Sequence, residues 1–212
     1  MTLRSLAVIL SLGAAAGLQG CAVAVVGAGA GAAALAFEDR RTGGIQIEDE
    51  RIELVAGNRI SDRYGNKAQT SLTSFNRHVL VTGEVPDAQT KAEIGKIVAA
   101  VSNVREVFNE LQVAGSSSLS SRSNDAFLTS KIKARFVDAG RFSAVHVKVV
   151  TEAAVVYLLG LVTEKEALDA TEIARTTGGV RRVVKVFQYC RADEEACRPR
   201  TPPAAAAAPA PK

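Results

Sequence analysis

The sequence predicts an α+β fold made of two tandem domains, each with the order α-β-β-α-β and a small three-stranded mixed sheet packed on two helices. Two pairs of matching segments support this prediction. The Gly-Glu-Val at 83–85 and the Gly-Leu-Val at 160–162 each follow an apolar run and lie 77 positions apart. The Val-Arg-Glu-Val at 104–107 corresponds to the Val-Arg-Arg-Val at 180–183, an offset of 76. Two offsets this similar indicate one domain that occurs twice.

The first copy, predicted at 47–115, contains each element of this order. Apolar residues at steps of three or four, among them Ile52 and Ile60, indicate an opening helix. Pro86 and Asp87 should start the second helix, with the proline in its first turn. The strands are expected at 67–76, 77–83 and 104–113.

The second copy, predicted at 124–190, follows the same order. Asn124 or Asp125 should cap its first helix. Thr163 should cap the second helix, with Glu166 at the position of a capping box. The first helix is expected to end near Ala139, and the strands are expected at 145–149, 155–159 and 180–189.

The N-terminal segment has the composition of a secretory signal. It carries one charge, Arg4, followed by an apolar run and a small residue ahead of Cys21. The Leu-Gln-Gly-Cys at 18–21 resembles the lipobox of bacterial lipoproteins. This resemblance implies a signal peptide at 1–20, a diacylglycerol on the Cys21 sulfur and a third acyl chain on its amine. The alternatives are a plain secretory signal and an uncleaved transmembrane anchor.

The residue after the predicted lipidation site indicates the destination. In lipoproteins of this kind an aspartate at that position retains the protein in the inner membrane, and here the residue is Ala22. The resemblance therefore implies the periplasmic face of the outer membrane. Because two acyl chains already give stable attachment, three should hold the protein firmly.

The composition is weakly basic and argues against nucleic acid as a partner. The net charge is +4, and it falls to about +3 when Arg4 leaves with the signal. Tryptophan is absent and no basic stripe alternates with aromatic residues, so no base-stacking surface is predicted. A mild positive charge suits an acidic membrane surface better.

Two cysteines remain once Cys21 is assigned to lipid. Cys190 and Cys197 lie close together in the sequence, and an oxidising periplasm would permit a disulfide between them. Free thiols are the alternative. A metal site would need more ligands at closer spacing, and neither histidine is nearby.

Three segments should lie outside the two domains. The stretch 21–46 is a lipidated tether rich in Ala and Gly, and its glycine run lacks the preceding strand that a dinucleotide-binding loop requires. The Ser-rich 116–123 should be a flexible linker. The stretch 191–212 combines the cysteine loop with a Pro/Ala tail that cannot bury enough apolar surface to become ordered.

The motifs of both copies resemble the BON domain. The α-β-β-α-β order, the Gly-x-Val that ends a strand and the Val-x-x-Val that leads the last strand all fit that family. The second copy departs from the pattern at Lys185, where the first copy has Asn109, and this difference is expected to be minor. A lipobox followed by two such domains resembles the dual-BON outer-membrane lipoprotein family. The resemblance covers roughly 39–189.

This resemblance implies a non-catalytic protein. Members of the family bind anionic phospholipids, such as phosphatidylglycerol and cardiolipin, through the second domain. They concentrate at division sites, support outer-membrane integrity and are linked to the machinery that assembles outer-membrane β-barrels. The implied partners are therefore anionic lipid and proteins of β-barrel assembly or cell division.

The first helix of the second copy carries the residues predicted to bind phospholipid. Phe127, Lys131 and Arg135 lie along or beside one edge of the helical projection, and Lys133 lies on the opposite flank. An aromatic side chain beside cations suits a membrane interface. The alternative is a solvated helix edge with Phe127 packed on the first domain. The corresponding helix of the first copy is acidic at 48–53 and should avoid anionic lipid.

Neither catalysis nor a cofactor or metal site is predicted. The two histidines, His78 and His146, occupy non-equivalent positions in the repeat and are expected to be surface residues of strands. A catalytic base needs a nucleophile or substrate within hydrogen-bonding reach, and no such pairing is visible. The competing hypothesis is a protein-interaction scaffold, because a small sheet with an exposed edge can accept a strand from a partner.

Overall fold

The computed structural model describes residues 39–115 and 119–198, and within them the order α-β-β-α-β occurs twice, as predicted. The first domain comprises α1 (Gly43–Tyr64), β1 (Gln69–Phe75), β2 (His78–Val85), α2 (Ala88–Ala99), β3 (Glu106–Asn109) and β4 (Gln112–Val113). The second comprises α3 (Leu119–Ala139), β5 (Val147–Glu152), β6 (Val155–Val162), α4 (Glu164–Arg175) and β7 (Arg182–Tyr189). The predicted signal peptide at 1–20, the lipidation of Cys21, most of the tether and the tail after residue 198 concern residues outside this described part.

Each domain contains one mixed sheet. In the first, β1 and β2 are antiparallel, and β3 and β4 pair with β2 in parallel. In the second, β5 and β6 are antiparallel and β7 is parallel to β6. A parallel partner requires a crossover, which α2 and α4 supply. The predicted mixed sheets are confirmed, and in the first domain the third strand is divided into β3 and β4 at Glu110 and Leu111.

The first helix begins earlier than the sequence indicates. Thr42 caps it, because the Thr42 Oγ1 accepts a hydrogen bond from the Ile45 N–H at 3.0 Å. Gly43 and Gly44 are its first helical residues, although the predicted tether extends to residue 46. The cap explains the early start, since it supplies a partner for one of the N–H groups that a helix leaves unpaired at its beginning.

The two crossover helices have side-chain caps of different kinds. Asp87 caps α2 by accepting from the Thr90 N–H at 2.6 Å. Pro86 therefore lies before the helix and not in its first turn as predicted. Thr163 caps α4, and Glu166 completes the predicted capping box by accepting from the Thr163 N–H.

The first helix of the second domain also begins before its predicted cap. α3 starts at Leu119, inside the stretch that its serine content assigns to a linker. The linker prediction is therefore wrong for the last five residues of that stretch. Asp125 lies within the helix, and its buried carboxylate accepts from the N–H groups of Ala153 and Ala154 at 2.9 and 2.8 Å. Those two residues form the β5–β6 turn, so Asp125 ties the helix to the hairpin and is not a cap.

Apolar side chains fill three clusters. One lies between α1, α2 and the first sheet, and an equivalent one lies between α3, α4 and the second sheet. The third joins the two sheets face to face and contains Phe75, Leu80, Tyr157, Leu159 and Val186. β2 and β6 are consequently buried on both faces, which explains their nearly continuous apolar sequences.

Polar contacts surround the cluster between the sheets. Asn76 Nδ2 donates to Gln188 Oε1 at 2.6 Å, and Gln188 Nε2 donates to the Phe75 carbonyl at 3.2 Å. The Tyr157 hydroxyl donates to Glu110 Oε2 at 3.4 Å. Burial and the nearby Glu110 carboxylate raise the pKa of Tyr157 to about 12. These contacts, together with the shared cluster, hold the two domains in one relative orientation.

Candidate functional site

One side of α3 packs on the second sheet and the opposite side faces solvent. Leu128, Ile132 and Phe136 lie on the packed side and are fully buried. Phe127 and Val137 lie on the solvent side, where they are 64% and 68% exposed. Two large apolar side chains on one exposed helix face are the kind of feature that marks a membrane or partner surface.

Two lysines flank this outward face. At about 100° per residue, Phe127 and Val137 lie roughly 80° apart around the helix. Lys131 lies roughly 40° beyond Phe127, and Lys133 lies roughly 40° beyond Val137, on the other side. Lysine stems can lie along apolar surface while their ammonium groups reach water or phosphate. The exposed Asp138 lies roughly 20° from Phe127, between it and Lys131, so the face contains one acid besides its apolar side chains. Apolar side chains with cations at both margins are typical of a helix that lies flat at a membrane interface.

Both lysines are exposed at this face. Lys131 Nζ lies 3.4 Å from the Gly178 carbonyl, a long hydrogen bond at the end of α4. Lys133 makes no hydrogen bond or ion pair with any residue that the structure describes. The exposure of Phe127 argues against the alternative in which this ring packs on the first domain. Val137 was missed by the sequence analysis, because a valine in a helix with apolar periodicity is usually assigned to the core.

Arg135 differs from the other predicted lipid-binding residues because its guanidinium is engaged within the protein. Arg135 Nη1 donates to the Ile173 carbonyl at 2.7 Å and to Thr177 Oγ1 at 2.5 Å. Arg135 Nη2 donates to Thr176 Oγ1 at 3.2 Å. These acceptors lie at the C-terminal end of α4, where a cation also interacts favourably with the helix dipole. Arg135 therefore joins α3 to α4, and the candidate face consists of Phe127, Lys131, Lys133 and Val137.

Replacing Arg135 with alanine should lower the free energy of unfolding by about 1–3 kcal/mol, because it leaves the end of α4 without its donors. Urea denaturation measures this difference. Lys133→Ala is the matched control on the same helix and should change stability by no more than about 0.5 kcal/mol. Equal effects of the two substitutions would contradict the assigned role of Arg135.

The corresponding helix of the first domain lacks this arrangement. With the offset of 76, Phe127 corresponds to Arg51, which pairs with Glu48 at 2.7 Å. Hydrogen bonds from Arg51 and Asn103 lower the pKa of Glu48 to about 2. α1 does expose Ile47 and Leu54, but lysines do not flank them.

The second domain is also more positively charged than the first. Residues 39–115 contain 10 Lys and Arg against 11 Asp and Glu. Residues 119–198 contain 13 against 10, a net charge of +3. The second domain therefore carries the larger positive charge, and each cation near an anionic surface contributes about 1 kcal/mol of attraction.

The two histidines differ in their surroundings. His78 is half-buried on β2, with Nδ1 3.4 Å from Glu106 Oε2, and burial lowers its pKa. His146 was predicted on the surface of a strand but is buried in a 3₁₀ turn, with Nδ1 3.0 Å from Glu166 Oε1. The prediction was wrong for His146 because the sequence does not show which face of the turn meets α4. In the described part of the chain, no three His, Cys, Asp or Glu residues group as metal ligands would.

Glu166 organises a buried cluster that also contains a residue from before the first domain. Arg40 donates to both Glu166 carboxylate oxygens, at 2.7 and 3.0 Å, and to the Leu161 carbonyl at 2.9 Å. Burial would raise the pKa of Glu166, but hydrogen bonds from His146, Arg40 and Thr163 outweigh it and hold this pKa well below its usual range. The cluster fixes the start of the described chain to the second domain.

Cys190 and Cys197 form a disulfide, with their Cα atoms 5.8 Å apart. The bridge closes a short loop immediately after β7, and a 3₁₀ turn at Glu195–Cys197 lies within it. Cys197 is buried, and the Cys190 N–H donates to the Val162 carbonyl at 3.0 Å. The loop is thereby held at the end of the second sheet.

The architecture is that of a tandem pair of α-β-β-α-β domains with one cationic and apolar helix face. The chain belongs to the BON domain family, whose sequence pattern matches residues 49–115 and again 124–191. It is 40% identical over 189 residues to the outer membrane lipoprotein DolP of Haemophilus influenzae, covering 88% of this chain and 96% of that protein. It is 31% identical over 153 residues to the 21 kDa hemolysin of Actinobacillus pleuropneumoniae, covering 71% and 79%.

Among solved structures, the chain is similar to the C-terminal domain of CdsD, a structural protein of the type III secretion system of Chlamydia trachomatis. The TM-score is 0.28 at 12% identity, and the match covers 69% of this chain and 98% of that one.

The sequence relatives confirm the predicted dual-BON outer-membrane lipoprotein family. Between residues 39 and 198, as far as the structure describes them, no helix is both long and apolar enough to cross a membrane.

Proposed function

We propose that this outer-membrane lipoprotein of BON type binds anionic phospholipid through the outward face of α3 and supports outer-membrane integrity at division sites. The observation that carries the proposal is the pair of exposed apolar side chains, Phe127 and Val137, with Lys131 and Lys133 at the two margins. The proposal includes acylation of Cys21 and a position on the periplasmic face. Attachment through acyl chains would present α3 to the membrane at high effective concentration, so that weak contacts suffice.

The test is binding of an acyl-free protein, residues 38–212, to vesicles of phosphatidylglycerol or cardiolipin and of phosphatidylcholine. Binding should require the anionic lipid and should weaken as salt rises, because the lysines act through screened charges. Lys131→Glu changes the local charge by two and should reduce affinity by about 2 kcal/mol, or roughly 30-fold. Phe127→Glu should also reduce binding strongly, because it places a charge where an apolar group should enter the interface.

The matched control is Lys96→Glu, which makes the same charge change at an exposed position of α2 in the first domain. Lys96→Glu should bind nearly as well as the unmodified protein. Equal losses of affinity in Lys96→Glu and Lys131→Glu would show that binding depends only on the net charge of the protein. No binding to either kind of vesicle would refute the lipid proposal and favour the second candidate, a scaffold that contacts other proteins.

The scaffold is kept as a candidate because the second domain has a separate exposed apolar region. Leu168 on α4 and Tyr189 at the end of β7 are 71% and 56% exposed. This region contains no part of the α3 face. Lipid binding and partner binding could therefore occur on one molecule.

A further inference from the structure

An open groove runs between α4 and β7 in the second domain. Its volume is about 370 Å³. Leu168 and Tyr189 provide its exposed apolar walls, and Ala167, Thr171 and Lys185 line it between them. The groove is outside the α3 face described above, and so it is not explained by the proposed lipid binding.

In the first domain, a side chain occupies the equivalent position. Asn109 of the first domain corresponds to Lys185 of the second. Asn109 pairs with β2 at the same position of the strand at which Lys185 pairs with β6. Asn109 Nδ2 donates to the Lys91 carbonyl of α2 at 2.7 Å. An added Cβ on Gly95 would come within 2.8 Å of the same Nδ2, so the amide fits closely against this glycine.

The second domain has replaced both members of that contact. α2 and α4 have 12 residues each, and Gly95 and Thr171 occupy the same position in them. Lys185 replaces the asparagine, and a long cation takes the place of the short amide that bonds to the helix. Both domains match the BON pattern, so this pair of differences distinguishes the groove of the second domain from the equivalent region of the first, where Asn109 bonds to the helix.

The groove lies along a strand at the edge of its sheet. The sheet order is β5-β6-β7, so one side of β7 has no neighbouring strand among the described residues. β7 is continuous over eight residues, whereas its counterpart is divided into β3 and β4. An unpaired strand edge beside an apolar groove is the arrangement that accepts an extended peptide, with main-chain hydrogen bonds for affinity and side-chain pockets for specificity.

The charge of the strand edge selects the kind of peptide. Arg182, Lys185 and Tyr189 are the exposed residues of β7. Arg182 lies 3.4 Å from Glu110, while Lys185 has no acidic partner within the described structure. The groove is also lined by two carboxylates: Glu172 is paired with Arg175 at 2.5 Å, and Glu164 lies at the first position of α4, away from the middle of β7. Lys185 therefore repels a basic strand and attracts a strand that carries a carboxylate. Lysines on edge strands prevent unselective pairing in this way.

We propose that the α4–β7 groove docks an extended, acidic segment of a partner protein as an additional strand beside β7. The segment carries a carboxylate opposite Lys185 and a large apolar side chain between Leu168 and Tyr189. This inference does not depend on lipid binding by α3.

The experiment uses the full-length, acylated protein in nanodiscs of phosphatidylcholine, which avoids attraction to anionic lipid. The probe is a fluorescein-labelled peptide of eight residues, the length of β7, with alternating Thr and Val, one central Glu and one Phe. Fluorescence anisotropy measures its affinity, and hydrogen exchange locates the protected amides. Binding should protect the amides of β7, and replacing the peptide Glu with Lys should weaken it by at least about tenfold.

Two variants make the result specific. Lys185→Glu should lose affinity for the acidic peptide and gain affinity for the Lys-containing peptide. Thr171→Gly with Lys185→Asn recreates the closed contact of the first domain and should abolish binding of both peptides. Urea midpoints of the variants verify folding. Unchanged binding by Lys185→Glu, no binding by the unmodified protein, or protection at α3 would each overturn the proposal. Loss of binding to phosphatidylglycerol vesicles by Lys185→Glu, without an effect on the peptide, would identify a lipid site and would also overturn it.

Discussion

Replacing Asp49 with alanine is expected to lower the free energy of unfolding by about 3–5 kcal/mol, because several donors would lose a buried, charged acceptor at about 1–3 kcal/mol each. Asp49 is 2% exposed on α1. Its Oδ2 lies 3.0 Å from Arg41 Nη1. Arg41 also pairs with Asp39 at 2.8 Å, and its guanidinium lies 4.1 Å from the centre of the Phe75 ring. Arg41 therefore keeps a partner after the substitution, and most of the expected loss comes from the other donors to Asp49.

The Asp49 carboxylate also holds the β1–β2 turn. It accepts from the N–H groups of Asn76 and Arg77, at 2.8 and 2.7 Å, and from the Ser74 hydroxyl at 2.7 Å. Asn76 and Arg77 have positive φ angles of 51° and 69°, which side chains disfavour. The hydrogen bonds to Asp49 offset that strain, and without them buried donors would lack partners.

Urea denaturation of residues 38–212 tests this prediction. Asp62→Ala is the matched control, because Asp62 is an exposed acid on the same helix, and it should change stability by at most about 0.5 kcal/mol. Asp49→Asn should have an intermediate effect, since the amide keeps one acceptor but loses the charge. A loss below about 1 kcal/mol for Asp49→Ala would show that water or a rearranged turn replaces these hydrogen bonds.

The second domain uses the same device, and this repetition explains one failed prediction. Asp125 corresponds to Asp49, and it accepts from Ala153 and Ala154, whose φ angles are 49° and 60°. From the sequence, an aspartate near a helix start is read as a cap. An aspartate that reaches a turn 28 residues away has no local signature. Aligning the two copies at an offset of 76 would have provided the signal.

The repeated fold itself was predictable because its markers have local physical causes. Gly83 has a φ of 115°, and an added Cβ would collide with the Gln69 carbonyl. At Gly160 an added Cβ would collide with the His146 carbonyl. Gly83 is required where β1 passes closely, and Gly160 is required where the residue just before β5 passes closely. For this reason the Gly-x-Val motif is visible twice in the sequence.

The candidate sites were predictable only in part. The helical projection places Phe127, Lys131 and Lys133 correctly on exposed positions of α3. It could not show that Arg135 reaches acceptors on α4, 38 or more residues later in the chain. The change from Asn109 to Lys185 was expected to be minor, yet it lines an open groove. Periodicity assigns a residue to a face of its own element and carries no information about the neighbouring element.

Replacing Glu166 with alanine is the second substitution expected to cost about 3–5 kcal/mol, because it would leave a buried guanidinium without its carboxylate. The side chains of Arg40 and Glu166 are 7% and 14% exposed. Arg40 precedes the first domain in the chain but bonds to α4 and β6 of the second. The substitution should therefore both destabilise the second domain and release the segment before α1.

The pH dependence provides a sharper test of the same cluster. The pKa of Glu166 lies well below its ordinary value of 4.5 in the folded protein, so its folded pKa is depressed relative to the unfolded chain. Its contribution to stability is therefore fully present above about pH 4.5 and is lost as the pH falls below that value. Glu166→Gln removes this titration, and the fall in stability between pH 5 and pH 3 should become less steep.

Urea midpoints at pH 7, 5, 4 and 3 measure both effects. Glu164→Gln is the matched control, because Glu164 is exposed in the same helical turn, and it should retain the acid dependence of the unmodified protein. An identical acid dependence in Glu166→Gln would mean that Glu166 does not contribute to the acid sensitivity. A less steep dependence would instead show that Glu166 contributes to the acid sensitivity, because its carboxylate stays ionised in the folded protein while it becomes protonated in the unfolded chain.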